Sequence, residues 1–264
     1  MPVPSTARLA DFTVVSNEPI GDSVYRLVIL APEVARAIKP GQFVNLDVPG
    51  NAMSLLRIPV SYASADADAG TVEIWYSVVG DGTMRLSKME PGAASTLIGP
   101  GGHGWGAPDG CGRALLVGGG IGVPPVLCLA RDLASRGVAF DACIGAQTAC
   151  RLVGEKELLE AGADRVLTAT DDGSYGSKGF VTGPVGELLE SASYGYAAVC
   201  GPGPMMHAVS DLVIARGVPC EVSMERMMSC GFGACSTCNV ETVDGMKGAC
   251  MAGPVFDATK VVAW

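Results

Sequence analysis

Positive charge, aromatic side chains and long apolar runs are all scarce in this sequence, and each scarcity excludes something. Of 264 residues, 6% are aromatic and 17% charged, and 18 Lys and Arg face 27 Asp and Glu for a net charge of −9. That balance argues against a nucleic-acid footprint, which needs clustered positive charge. The start, Met1 to Ala10, has neither a basic segment nor an apolar core, so no secretory leader is expected. A long uncharged run rich in Leu, Val and Ile, seventeen residues between Arg113 and Arg131, is broken by Gly118, Gly119, Gly120, Gly122, Pro124 and Pro125. It is short for a bilayer and reads as a buried strand, a loop and a helix start, so no membrane span is expected. Only two histidines are present.

What is abundant is apolar residue, glycine and cysteine. At 48% apolar, the chain can offset its conformational entropy and is not disordered. The 36 glycines follow no three-residue period, which removes a collagen-like reading. Ten cysteines are too few per residue for a small disulfide scaffold. A cytoplasmic protein with reduced thiols is the expectation, and its cysteines need another reason.

Two patterns follow one another along the chain. Residues 10–100 carry short apolar runs at 12–15, 24–30, 43–48, 58–63, 72–79 and 94–98, punctuated by Gly and Pro. They read as a small antiparallel barrel or sandwich, interrupted by one helix over 83–89. From Arg113 strands alternate with helices, which implies a parallel sheet covered on both faces. From Glu221 the periodicity fades. The expected division is 1–107, 108–220 and 221–264.

The last region spaces Cys230, Cys235 and Cys238 as C-x4-C-x2-C, with Cys250 after eleven intervening residues. This is the plant-type arrangement for a 2Fe–2S cluster, which needs four converging thiolates. Gly231 and Gly233 let the chain wrap closely. Structural zinc more often shows two separate C-x2-C knuckles, and unliganded buried cysteines fit poorly with the intervening Ser, Thr and Gly.

After the strand Leu115-Leu116-Val117 comes Gly118-Gly119-Gly120-Ile121-Gly122, a strand-to-helix turn open to a pyrophosphate. The third glycine of G-x-G-x-x-G is replaced by Val123, and Asp141 falls inside the next strand rather than at its tip. A tight β–α turn without ligand is the plain alternative. Two further segments, Asp171-Asp172-Gly173-Ser174 and Cys200-Gly201-Pro202-Gly203-Pro204, also follow strands and would share the same carboxyl edge.

With Arg57-Ile58-Pro59-Val60-Ser61 and Trp75-Tyr76-Ser77 followed by Gly80-Asp81-Gly82-Thr83, the chain resembles the electron-transfer subunits of dihydroorotate dehydrogenase, within the ferredoxin–NADP reductase superfamily. The resemblance implies an FAD-binding antiparallel β-barrel, then a parallel-sheet NAD-binding α/β domain, then a 2Fe–2S cysteine-rich tail. It assigns Arg57, Ile58, Pro59, Val60 and Ser61 to the FAD phosphates and flavin, with the Ser61 hydroxyl near the ring. Trp75, Tyr76 and Ser77 would line the next strand, and Gly82 and Thr83 would bind pyrophosphate through backbone donors. Gly118, Gly119, Gly120, Gly122, Asp172 and Gly201 would take NAD(H), with Cys200 beside the nicotinamide, and the four tail cysteines would hold the cluster. Ser61 and Cys200 are the candidate catalytic residues.

The implied function is to carry electrons from NADH through FAD and the cluster to an FMN-containing dihydroorotate dehydrogenase catalytic subunit, in a heterotetramer serving pyrimidine biosynthesis. One departure is that the usual Arg three residues before the Ser is Ile58, with Arg57 one position earlier. The R-I-P-V-S version resembles small subunits of NADH-dependent ferredoxin–NADP or sulfur-linked oxidoreductases, the alternative with the same cofactors and another partner. Gln147, where some relatives carry Arg or Lys, favours NADH, while Arg151 keeps NADPH open. His103, His207, Met224, Met227 and Met228 are read as structural or surface residues.

Overall fold

A computed structural model describes residues 7–50 and 56–264. Met1–Thr6, the first part of the stretch read as lacking a leader, lie outside them.

The first half is strands: β1 (Arg8–Gly21), β2 (Val24–Leu30), β3 (Phe43–Leu46), β4 (Ile58–Ser61), β5 (Ser64–Asp66), β6 (Thr71–Ser77) and β7 (Ala94–Gly101). Two short helices interrupt them, α1 (Pro32–Ala37) and α2 (Asp81–Leu86). The strands form one antiparallel sheet in the order β4-β3-β7-β1-β2-β6-β5. Its two end strands, β4 and β5, are joined by Tyr62 and Ala63 alone, so the sheet must curl round to bring them together. Alternation along each strand decides what fills the barrel. Val44 and Leu46 of β3, with Ile74 and Tyr76 of β6, enter its core.

The second half runs β8 (Arg113–Gly119), α3 (Val123–Ser135), β9 (Ala139–Ala146), α4 (Glu155–Glu160), β10 (Arg165–Thr170), β11 (Ser177–Lys178), α5 (Thr182–Ser191), β12 (Tyr196–Cys200), α6 (Gly203–Ile214) and β13 (Cys220–Ser223). It continues through the hairpin β14 (Asn239–Thr242) and β15 (Gly245–Gly248) to β16 (Val255–Asp257). The sheet order is β11-β10-β9-β8-β12-β13-β16, parallel throughout except for β16. The order reverses between β8 and β12, and the carboxyl ends of those strands bound the crevice in which open α/β sheets take ligands.

Two features depart from the sequence reading. The cysteine-rich region is not irregular throughout: it holds a hairpin and returns β16 to the sheet edge against β13, a strand that itself runs through positions 220 and 221. The helix expected over 83–89 begins two residues earlier, because Thr83 caps it from inside. The Thr83 Oγ1 accepts from the backbone N–H groups of Val79 and Gly80 at 2.9 and 3.1 Å.

The halves share a core. Val24, Ala63 and Trp75 from the barrel pack with Leu116, Val123, Val126 and Leu127 from β8 and α3. Among the described residues no helix is long and apolar enough to cross a membrane.

Candidate functional site: a flavin strand between a dinucleotide crevice and a cysteine loop

The edge strand β4 is the hinge of the site. All four of its residues, Ile58, Pro59, Val60 and Ser61, are half-buried, whereas every residue of its neighbour β3 is buried. An edge also suits Pro59, which has no N–H for a further partner strand. Register places Val44 opposite Val60 and Leu46 opposite Ile58, facing the barrel core. Phe43 opposite Ser61 and Asn45 opposite Pro59 therefore face the other way, since cross-strand partners share a face. Arg57 precedes the strand and donates to the Thr96 carbonyl and hydroxyl of β7, both at 2.9 Å.

The start of α2 lies against this strand. A Cβ on Gly82 would meet the Ile58 side chain at 3.0 Å, so the glycine admits the close approach. The first backbone N–H groups of α2, those of Asp81, Gly82 and Thr83, precede its first intrahelical bond, from Met84 to Gly80. An uncovered edge strand beside a glycine-opened helix start fits the nucleotide of a flavin. Trp75 and Tyr76 do not offer their side chains there. The Trp75 ring lies in the shared core, donating to Glu73 at 2.9 Å, and Tyr76 lies in the barrel core, donating to Asn17 at 3.0 Å. Only Ser77 of that trio is half-buried.

At its far end β4 runs into the α/β half. Tyr62 is buried beside Cys128 of α3, and Arg131 of α3 donates to the Ala63 carbonyl at 3.1 Å. The helix that follows the glycine turn is thus fixed to the corner that follows β4.

The glycine turn and the Cys200 turn meet at the β8/β12 crevice. A Cβ on Gly122 would run into the Cys200 carbonyl, one on Gly119 into the Met205 sulfur, and one on Gly201 would come 3.0 Å from the Gly119 Cα. Gly118 is packed against Val123 in the same way. These glycines therefore serve the fit of the two turns to each other. Gly120 differs: its φ is +53° and nothing lies within 4 Å of its missing Cβ, so it faces open space. The Cys200 thiol lies 3.7 Å from the Ser223 carbonyl, and burial pushes its pKa up to about 12. It holds its proton more tightly than a free cysteine does.

Asp172, at the end of β10, is exposed and accepts from the Ser174 hydroxyl and N–H at 2.6 and 3.0 Å. Those bonds hold its carboxyl below the usual range. Arg151 is engaged with Gln147 at 2.8 Å and Asp22 at 3.3 Å. Asp141 is fully buried and held by Arg165, Arg113 and Tyr194 at 2.8, 3.2 and 2.6 Å, near the start of β9 and away from the ligand edge.

The four tail cysteines interact with one another: Cys235 with Cys230, and Cys250 with both Cys238 and Cys230. The Ala234 N–H donates to the Cys230 sulfur at 3.2 Å, the Thr237 hydroxyl to Cys235 at 3.2 Å, and the Cys250 N–H to Cys238 at 3.4 Å. The Thr237 hydroxyl and N–H, with Cys230, bring the Cys235 pKa down to about 6, while burial pushes Cys250 up to about 12. Among the described residues no three His, Cys, Asp or Glu side chains form a set for one metal ion. N–H and hydroxyl donors to the thiol sulfurs suit an iron–sulfur centre, whose sulfurs accept such bonds. Cys238 and Cys250 share a buried cluster with Phe43, Met224 and Met228, which ties the cysteine loop to the outward face of β3.

Comparison with known proteins agrees with this geometry. Residues 225–262 match the model of the iron–sulfur cluster binding domain of dihydroorotate dehydrogenase B. The chain is 42% identical over 257 residues to the dihydroorotate dehydrogenase B (NAD(+)) electron transfer subunit of Geobacillus thermodenitrificans, covering 95% of this chain and 97% of that protein. The subunit of the same name from Desulforamulus reducens is 33% identical, with 97% and 99% covered. Among solved structures, a chain of the NADH-dependent reduced ferredoxin–NADP oxidoreductase superposes with a TM-score of 0.87 at 29% identity, covering 95% of this chain and 89% of that one. A ferredoxin NADP+ reductase from Neisseria gonorrhoeae, at 18% identity and a TM-score of 0.64, covers 79% of this chain and 92% of its own and shares the fold. The chain belongs to the family of dihydroorotate dehydrogenase B electron transfer subunits.

Proposed function

We propose that this chain carries electrons between NAD(H) and an FMN-containing dihydroorotate dehydrogenase catalytic subunit. The observation that carries the reading is the alternation of β3. One face of that strand packs the barrel under β4, and the other, through Phe43, packs the cysteine loop. A flavin on β4 and a cluster in the loop would thus be separated by little more than one strand. When bound, FAD exchanges a hydride with NAD(H) and single electrons with a 2Fe–2S cluster, which links it to the partner's flavin.

The chain's own task is placement. Ile58–Ser61 present an uncovered edge to the flavin, and Gly82 and Thr83 aim backbone N–H groups at its pyrophosphate. Gly120 leaves open space for the dinucleotide, while Gly118, Gly119, Gly122 and Gly201 let the turns that bound the crevice pack closely. Cys200 keeps its proton and fills the crevice as a compact neutral group. The Cys230, Cys235, Cys238 and Cys250 thiolates would hold the irons. Met227, Phe232 and Met246, 75%, 44% and 64% exposed, surround the loop with apolar surface for a partner subunit. Ten free thiols suit a reducing cytoplasm.

The test is co-purification of the chain with its partner and an assay with dihydroorotate. An FMN-containing partner that is reduced by dihydroorotate, and that reduces NAD+ only when this chain is present, is expected. A partner lacking FMN and inert to dihydroorotate overturns the reading. That outcome would favour the ferredoxin-linked alternative, which the Arg57–Ser61 version and the likeness to the ferredoxin–NADP oxidoreductase chain support.

A further inference from the structure

Asn45 lies in the middle of β3, is 2% exposed, and its side-chain Nδ2 has no hydrogen-bond partner. A buried amide N–H without an acceptor is destabilising, so such a group ordinarily has a purpose. Its direction is specific. Asn45 stands on the outward face of β3, opposite Pro59 of the edge strand. Its Nδ2 is pressed against Gly231, the residue after the first cysteine of the cluster motif, and a Cβ on Gly231 would land on the amide nitrogen. The donor therefore lies between the flavin strand and the cysteine loop. Around it, the other sulfur donors come from the loop itself: the Ala234 and Cys250 N–H groups and the Thr237 hydroxyl.

We propose that Asn45 is a donor supplied by the barrel to the sulfur shell of the cluster on its flavin-facing side, and that it tunes the cluster's potential. The inference rests on the iron–sulfur reading above. A reduced cluster carries more negative charge than an oxidised one, so an N–H aimed at its sulfurs stabilises the reduced form and raises the potential. Because the donor belongs to the barrel and not to the loop, it also registers whether the two are docked.

The test is a redox titration of the anaerobically purified chain, followed by electron paramagnetic resonance for the cluster and by absorbance for the flavin. Asn45→Leu keeps the bulk of the side chain and removes the N–H. The cluster's reduction equilibrium constant should fall about tenfold, which is about 59 mV for one electron, while the flavin potential stays in place. An unchanged cluster potential overturns the proposal. If Asn45→Leu loses the cluster, Asn45→Ala, which adds no bulk, is titrated in its place and the same lowering is expected. Loss of the cluster or of the fold in both variants makes Asn45 structural and also overturns it. A wild-type chain with no cluster signal would instead sink the iron–sulfur reading itself, so the two failures are separable.

Discussion

At the scale of single residues, the glycines of the crevice divide by what stands opposite them. Gly120 faces open space, while Gly122 faces the Cys200 carbonyl. Gly122→Ala should force the two turns apart, because backbone cannot yield as a flexible side chain can. Overpacking of this kind costs about 1–3 kcal/mol. A rise of about tenfold in KM for NADH is expected, with flavin and iron content unchanged, and steady-state kinetics beside cofactor analysis checks it. An unchanged KM would place the dinucleotide elsewhere. The iron–sulfur character of the tail was legible in the sequence because the cysteine spacing is itself the constraint. Asn45 was not, since one polar residue in an apolar strand carries no spacing signal and its meaning depends on Gly231, far along the chain. Trp75 and Tyr76 were legible as barrel residues. Which side of the strand each would face was not, and both side chains went to cores.

At the scale of elements, the strands and helices with strong periodicity were legible and the short ones were not. β16 has three residues and gains its pairing only from β13, so no local pattern announces it. α1 likewise is short, beginning at Pro32 and spanning six residues. Asp141 is the clearest case of an element overriding a motif. Counting along the chain brings it near the place of a ribose-binding acid, but its register puts it opposite Arg165, in the first turns of the sheet. Burial raises its pKa, yet the bonds from Arg165 and Tyr194 and the charge of Arg113 outweigh that and hold it below the ordinary 3.8. A depressed folded-state pKa means the stabilisation is complete above about pH 4 and is lost as pH falls through the folded value. Asp141→Asn should therefore cost about 3 kcal/mol at pH 7, and the gap from the wild type should close below pH 4. Denaturant unfolding at pH 7 and at pH 3 checks this, and an equal gap at both values would contradict it.

At the scale of the whole molecule, function depends on two halves held as one. The core that joins Val24, Ala63 and Trp75 to Leu116, Val123 and Leu127 fixes the β8/β12 crevice against the end of β4. The buried cluster of Phe43, Cys238 and Cys250 fixes the cysteine loop against the other side of β3. The order of the parts was legible in the sequence, because each carries its own motif; their mutual docking was not, because it rests on the alternation of one four-residue strand. The most direct test of the central claim is an anaerobic titration of the purified chain with NADH, read by absorbance and by electron paramagnetic resonance on the same samples. The expected result is bleaching of flavin bands together with the signal of a reduced 2Fe–2S cluster. A colourless chain holding one equivalent of zinc, or a flavin that bleaches while an intact cluster stays oxidised, would contradict it.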